Sequence, residues 1–314
     1  MEKALKKMND PAFEILDEEA YKIFDVNAQL EVLDSGYIWT EGPLWLKATN
    51  QLLFNDIPAN KTYVWSESEG TKVYLSPSGY TSDLSRNGEP GANGLVLNAE
   101  GKLILCQHGD RRVALMNAPI ESPTSDFTTI VDNYKGEKFS SPNDATFSKH
   151  GNLYFTDPPY GLSNPEDQET SFNGVYRFSK DGNLTVIDST LTRPNGIAFS
   201  PDHKTLYVAN SDPNLAIWMK YNMNDKTGIQ GSKTIFFNAT EYTKTDKGLP
   251  DGLKVNSQGY VFATGPGGVW VFNPDGKALA RIKTGQATSN CAFGASENVL
   301  YLTADDYIMR ATFQ

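Results

Sequence analysis

Six stretches of the chain share one layout: a polar residue, a short apolar run, a turn rich in Gly or Asn, and a second apolar run. Three are Glu41-Gly-Pro-Leu-Trp closing on Leu-Leu-Phe-Asn-Asp56, Asn93-Gly-Leu-Val-Leu closing on Leu-Ile-Leu-Cys-Gln-His108, and Asn143-Asp-Ala-Thr-Phe closing on Leu-Tyr-Phe-Thr-Asp157. The others are Asn195-Gly-Ile-Ala-Phe closing on Leu-Tyr-Val-Ala-Asn210, Asp251-Gly-Leu-Lys-Val closing on Tyr-Val-Phe-Ala-Thr264, and Asn290-Cys-Ala-Phe closing on Leu-Tyr-Leu-Thr-Ala304. Apolar runs of this length bounded by turn residues predict paired antiparallel strands. Further runs at 63–65, 174–178 and 269–272 predict third strands, and those at 184–187 and 234–237 predict fourth strands. The polar anchors recur about every 40–55 residues, close to the roughly 40–50 residues of a four-stranded propeller blade.

The expected fold is therefore all-β: a six-bladed β-propeller of four-stranded antiparallel blades. Only residues 291–314 follow the last anchor, enough for three strands. The alternating segment 28–35 is expected to supply the fourth and close the ring, which leaves no open sheet edge there. Residues 25–314 then form one propeller, and 1–24 a peripheral arm of helical or irregular structure.

Antiparallel pairing puts the start of each innermost strand and the end of the second strand on one face. The anchors Glu41, Asn93, Asn143, Asn195, Asp251 and Asn290, and the second-strand ends Asp56, His108, Asp157 and Asn210, should ring one mouth of the tunnel. The turns at 98–101, 148–151 and 256–259 are short. The long connections 76–92, 158–173 and 237–250 fall on the anchor side, where long loops usually carry function. All six anchors are oxygen donors, a set that suits a hard cation such as Ca²⁺ better than Zn²⁺. Glu41 and Asp251 would balance a divalent charge, with the amide oxygens of Asn143 and Asn195 completing four protein contacts. Asn-Gly and Asp-Gly are also plain turn dipeptides; six in register, with acids at two of them, favour a site.

The rest of the sequence narrows the chemistry. A formal net charge of −10 disfavours nucleic acid and anionic membrane as partners. No apolar run reaches transmembrane length, and 1–10 lacks the apolar core of a secretory signal. A cytoplasmic location is expected, or a periplasmic one had a signal been removed. Cys106 and Cys291 fall in blades that are not neighbours, so two free thiols are expected. Phosphate-binding loops, dinucleotide fingerprints, serine-hydrolase elbows and zinc-protease motifs are absent.

The motifs Glu41-Gly-Pro, Cys106-Gln-His-Gly with Arg111-Arg-Val, Ser141-Pro-Asn-Asp, Thr156-Asp-Pro-Pro-Tyr-Gly, Arg193-Pro-Asn-Gly-Ile-Ala-Phe-Ser-Pro-Asp, Leu249-Pro-Asp-Gly and Asn290-Cys-Ala-Phe-Gly span about 40–305. On them the chain resembles the senescence-marker-protein/gluconolactonase family of metal-dependent propellers, its bacterial gluconolactonases above all. The sequence departs from the family's Phe-Gly-Gly at Phe293-Gly-Ala, beyond the anchors. The resemblance implies one divalent cation, usually Ca²⁺ with Zn²⁺, Mg²⁺ or Mn²⁺ as substitutes, on Glu41, Asn143, Asn195 and Asp251. It also implies that Asn93 contacts substrate or a metal-bound water.

The implied reaction is hydrolysis of a sugar lactone, with the small-molecule lactone as partner. The cation would polarise the lactone carbonyl. Asp251 would either deprotonate the attacking water or attack directly. His108 is a candidate for substrate contact or proton transfer, or else fills its loop. Tyr160 is a candidate for the pocket rim or for loop packing. Of Arg111 and Arg112 only one can face the pocket from a strand, with Arg111 as the candidate for substrate binding or for structural pairing. Asp157 is either a supporting group or a loop cap. Two readings compete: an organophosphate-type hydrolase on the same metal platform, which an apolar pocket would favour, and a non-enzymatic binding propeller.

Overall fold

The computed structural model describes residues 7–224 and 228–313. Six antiparallel sheets hold the inner strands Thr40–Leu46, Ala92–Leu97, Ala145–Phe147, Pro194–Phe199, Leu253–Val255 and Thr288–Phe293. In blades one to four each next strand lies further from the axis, in chain order. Second strands such as Leu103–Gln107, Leu153–Asp157 and Val261–Gly265 are buried at every position. They pack on both faces against neighbouring blades, which is why they read as unbroken apolar runs rather than alternating ones. The predicted third and fourth strands appear as Lys61–Ser66, Gly174–Phe178, Gly268–Phe272, Leu184–Asp188 and Gly228–Asn238.

Ring closure follows the sequence expectation. Gln29–Ser35 pairs antiparallel with Tyr307–Thr312 and completes blade six. Across the same seam, the Ser289 hydroxyl donates to Thr40 O (2.7 Å). The segment before residue 25 differs from the helical or irregular arm expected. Phe13–Ile15 pairs with Ala278–Ile282 and gives blade five a fifth strand, and Glu18–Lys22 is a single 3-10 turn. Residues 1–6 of that arm lie outside the described residues. Its apolar side chains are core: Phe24 is buried and meets the rings of Phe13, Phe313 and Phe262 at 5.5, 4.9 and 6.5 Å. Phe24→Ala should therefore cost about 3–5 kcal/mol in a urea titration, as for other buried aromatics. A loss below about 1 kcal/mol would mean that the arm is not part of the core.

Cys106 and Cys291 are free and buried, as expected. Among the described residues no helix is long and apolar enough to cross a membrane.

Candidate active site

Four of the six anchors are delivered to the tunnel mouth by a local break in strand pairing. The register shifts between Glu41 and Leu44, Ala92 and Leu95, Pro194 and Ile197, and Thr288 and Asn290. Such bulges re-aim a side chain and commonly sit beside functional sites. In blades three and five the inner strand starts just after the anchor, and Asn143 and Asp251 are held through their N–H groups by Thr156 O (2.8 Å) and Thr264 O (3.0 Å).

The glycine following an anchor has a steric cause, not the turn cause its dipeptide suggests. A Cβ at Gly42 would lie 1.9 Å from Asn93 O, at Gly94 2.6 Å from Asn143 O, and at Gly196 2.2 Å from Asp251 O. At Gly252 it would lie 2.0 Å from the Asn290 side chain. In these four blades the inner strand presses onto the next blade's anchor, and only a residue without Cβ permits that approach; in blades three and six Asp144 and Cys291 stand in that place.

The second-strand ends act as clamps on the segments entering the anchors. Asp56 accepts from the N–H groups of Ile38 (3.1 Å) and Trp39 (3.2 Å), Asp157 from Ser140 (2.9 Å) and Ser141 (2.7 Å), and Asn210 from Arg193 (2.9 Å). Asp157 is thus a loop cap. Burial pushes its carboxyl up to about 7 despite the two N–H donors.

A cavity of about 570 Å³ opens above the anchors. Glu41, Asn93, Asn143, Asn195 and Asp251 line it; Asn290 does not. Asn290 lies behind, donating its amide to Glu41 Oε2 (3.1 Å) and accepting from Cys291 N (2.8 Å). All three long connections reach the walls, through Glu89, Tyr160, Thr243, Asp246 and Leu249. Tyr160 lines the cavity with its hydroxyl donated to Ser211 O (3.1 Å), and burial pushes its pKa up to about 12.

Two of the expected substrate contacts lie elsewhere. Arg111 is not on the strand but in the turn before it, at φ +57°. Its guanidinium donates to Phe139 O (2.6 Å) and Asp167 O (3.1 Å) and pairs with Glu169 (3.2 Å). It ties blade two to the 158–173 loop and is absent from the cavity lining. His108 is fully buried behind the wall, with Nδ1 3.0 Å from Glu89 Oε2, and it is Glu89 that faces the cavity. Trp39, Arg193, Leu249 and Thr288 also line the cavity without having been singled out. A signal for them was present: each stands two residues before an anchor, on the same side of an extended chain.

The floor of the cavity holds an unusual set of acceptors. Oδ1 of Asn93, Asn143, Asn195 and Asp251 is in each case buried without a hydrogen-bond partner. A buried acceptor left unsatisfied costs about 1–3 kcal/mol, so four on one floor mark a place built for something electropositive. Burial pushes Glu41 up to about 7, partly offset by the Gly42 N–H and the Asn290 amide. Asp251 is raised well above the usual carboxylate range, by burial first and the Glu41 charge second. Among the described residues no group of three or more His, Cys, Asp or Glu side chains is placed to hold a metal. The donor set is instead two carboxylates and amide oxygens, the chemistry a hard divalent cation takes. The residues present fit such an ion.

The fold and this floor define a six-bladed propeller with an oxygen-donor site at its tunnel mouth. The profile of the SMP-30/Gluconolactonase/LRE-like region matches residues 39–306, and the chain belongs to that family. It is 42% identical over 300 residues to a gluconolactonase of Zymomonas mobilis, covering 92% of this chain and 82% of that protein. Among solved structures it is similar to a gluconolactonase of Xanthomonas campestris, with TM-score 0.82 and 27% identity over 99% of this chain and 98% of that one. A calcium-binding regucalcin of Agrobacterium tumefaciens shares the fold at TM-score 0.70 and 18% identity, over 91% and 95% of the two chains.

Proposed function

We propose that the protein is a divalent-cation-dependent lactonase that opens aldonolactones such as glucono-lactone, with Ca²⁺ on Glu41, Asn143, Asn195 and Asp251. The observation that carries the reading is the set of three unpartnered amide oxygens, on Asn93, Asn143 and Asn195, beside the unpartnered and strongly perturbed carboxyl of Asp251 at the cavity floor. Perturbed groups of this kind cluster where chemistry is done. The family's gluconolactonases support the lactone as substrate class.

When bound, the cation supplies electrophilic stabilisation to the oxygen that gains charge as the ring opens. Asn143 and Asn195 present oxygens that cannot be protonated, so they hold their role at every working pH. Glu41 is fixed by two donors and stays a charge-balancing group. Asp251 keeps Oδ1 without a donor, which leaves it able to take a proton from water or to attack the carbonyl carbon. Asn93 turns its amide oxygen to the same floor and orients the reacting lactone. The walls carry Glu89, Tyr160, Arg193, Thr243 and Asp246 beside Trp39, Ile57 and Leu249. The polar groups among them are ones that the hydroxyls of a lactone could pair with and an organophosphate ester would leave unused.

The test is a pH-stat assay, since each turnover releases an acid. Chelated protein reloaded with Ca²⁺, Mg²⁺, Mn²⁺ or Zn²⁺ is offered a panel of aldonolactones and a diethyl aryl phosphate. Lactone turnover that returns with a divalent cation supports the reading. Turnover of the phosphate ester alone, or of nothing, overturns it.

A further inference from the structure

Glu89 is the feature of the cavity wall that the reaction scheme leaves unused. We propose that Glu89 is a specificity-determining residue whose carboxylate accepts hydrogen bonds from the hydroxyl groups of the lactone ring, with buried His108 as its positioning residue. The inference rests on the lactonase reading above and names how that substrate class is recognised.

Four carboxylates line the cavity: Glu41 and Asp251 on the floor, Glu89 and Asp246 on the walls. Asp246 is engaged by Arg281 (2.7 Å). Glu89 has about a third of its side chain exposed to the cavity, and its Oε2 is committed to His108 Nδ1 at 3.0 Å. Oε1 is the oxygen that remains for a ligand. Glu89 lines the same cavity as Asp251 and Tyr160, so it faces the space in which the reacting centre would lie.

The carboxylate is held from both sides. His108 is fully buried and its N–H donates to Gly91 O (3.2 Å), two residues from Glu89. Gly161 roofs the imidazole so closely that a Cβ there would lie 2.6 Å from His108 Cβ. On the other side, Gly88 at φ +75° leaves no room for a Cβ beside Leu162 O (2.5 Å). Arg86 donates to Gly161 O, and the Ser163 hydroxyl donates to Asn87 O (2.9 Å). The chain before Glu89 is thus fastened onto the 158–173 connection, and the chain after it onto the backbone of His108. A loop residue fixed this way is pre-organised, which is what a recognition group needs. Hydrogen bonds to a carboxylate are about twice as strong as neutral ones. A site built around one rejects an analogue that lacks the hydroxyl far better than an apolar wall rejects an added one.

The experiment compares glucono-δ-lactone with δ-valerolactone, the same ring without hydroxyls, in initial-rate pH-stat assays on the full chain. It adds calorimetric binding of 1,5-anhydroglucitol, which keeps the ring hydroxyls and has no carbonyl to hydrolyse. Glu89→Ala should raise KM for glucono-δ-lactone about tenfold or more, with kcat reduced far less. The kcat/KM preference for it over δ-valerolactone should fall by the same factor, and anhydroglucitol affinity with it. His108→Ala should move the preference in the same direction, and His108→Asn, whose amide nitrogen stands where Nδ1 does, should restore most of it. Equal losses on both lactones, or an unchanged preference and unchanged anhydroglucitol affinity, overturn the inference while leaving the lactonase reading intact. If the wild-type chain opens no lactone yet binds anhydroglucitol through Glu89, the lactonase reading falls and the hydroxyl-binding role stands. If it neither opens a lactone nor binds the polyol, both fall.

Discussion

Asp251→Asn should lower kcat/KM on an aldonolactone by about a thousandfold or more, with cooperative unfolding retained. The substitution keeps the shape of the side chain and removes the floor carboxylate whose Oδ1 has no donor, the group proposed to take a proton or form a bond to carbon. Loss of a general base alone costs about 10²–10⁴, and loss of a nucleophile costs at least as much. The same change should stabilise the cation-free protein. Asp251 is raised by burial and by the Glu41 charge beside it, and an amide carries neither the desolvation cost nor the repulsion. A chelated variant that melts above the chelated wild type, while being nearly inactive when reloaded, is the expected signature of a site that gives up stability for chemistry. Near-normal turnover in Asp251→Asn would remove Asp251 from its proposed role.

What was legible in the sequence is what short-range pattern encodes. The second strands announced themselves because burial on both faces leaves no solvent-facing position in runs such as Leu153–Asp157, so apolar residues stand next to one another instead of alternating with polar ones. The closing strand could be found because the last repeat is one strand short and 28–35 alternates. The anchors were found by register, although the glycine after them was explained by turn chemistry when its cause is contact with the next blade. That contact spans about 40–55 residues of chain and leaves no local trace. Phe13–Ile15 escaped for a similar reason: three residues become a strand only because Ala278–Ile282 offers an edge. Arg111 was misplaced because an Arg-Arg pair beside a strand reads as strand, whereas the first of them turns the chain at φ +57°. Glu89 sits in a loop without periodicity, so nothing in its neighbours predicted a side chain aimed at the cavity. Trp39 and Arg193 do carry a local signal, since each stands two residues before an anchor on the same side of an extended chain.

Removing the cation should have the broadest effect of all, on activity and on stability together. With Glu41 and Asp251 buried side by side, the chelated protein must hold back a proton or bear their repulsion. Glu41 is pushed up to about 7 from an ordinary value near 4.5, and Asp251 is raised in the same direction. A carboxyl whose folded pKa is raised favours folding fully below its unfolded pKa and loses that contribution as pH rises through the folded value. In chelator the melting temperature should therefore fall between about pH 4.5 and 7 and beyond. Asp157, also about 7 but held by backbone N–H groups on the far side of its loop, adds a slope of the same sign. That slope is common to both conditions, so the difference between chelated and Ca²⁺-loaded curves isolates the floor. Ca²⁺ on the proposed ligands would satisfy the unpartnered oxygens of Asn143, Asn195 and Asp251 and the two charges at once. At a hundredfold excess over Kd it stabilises the fold by about 2.7 kcal/mol, a rise in melting temperature of roughly 5 °C or more, largest at the alkaline end. Lactone turnover should disappear with chelator and return with the cation. Coincident melting curves with and without Ca²⁺ across this pH range would show that the ring of oxygens binds no such ion, and the catalytic reading would have to be rebuilt on Asp251 and the cavity walls alone.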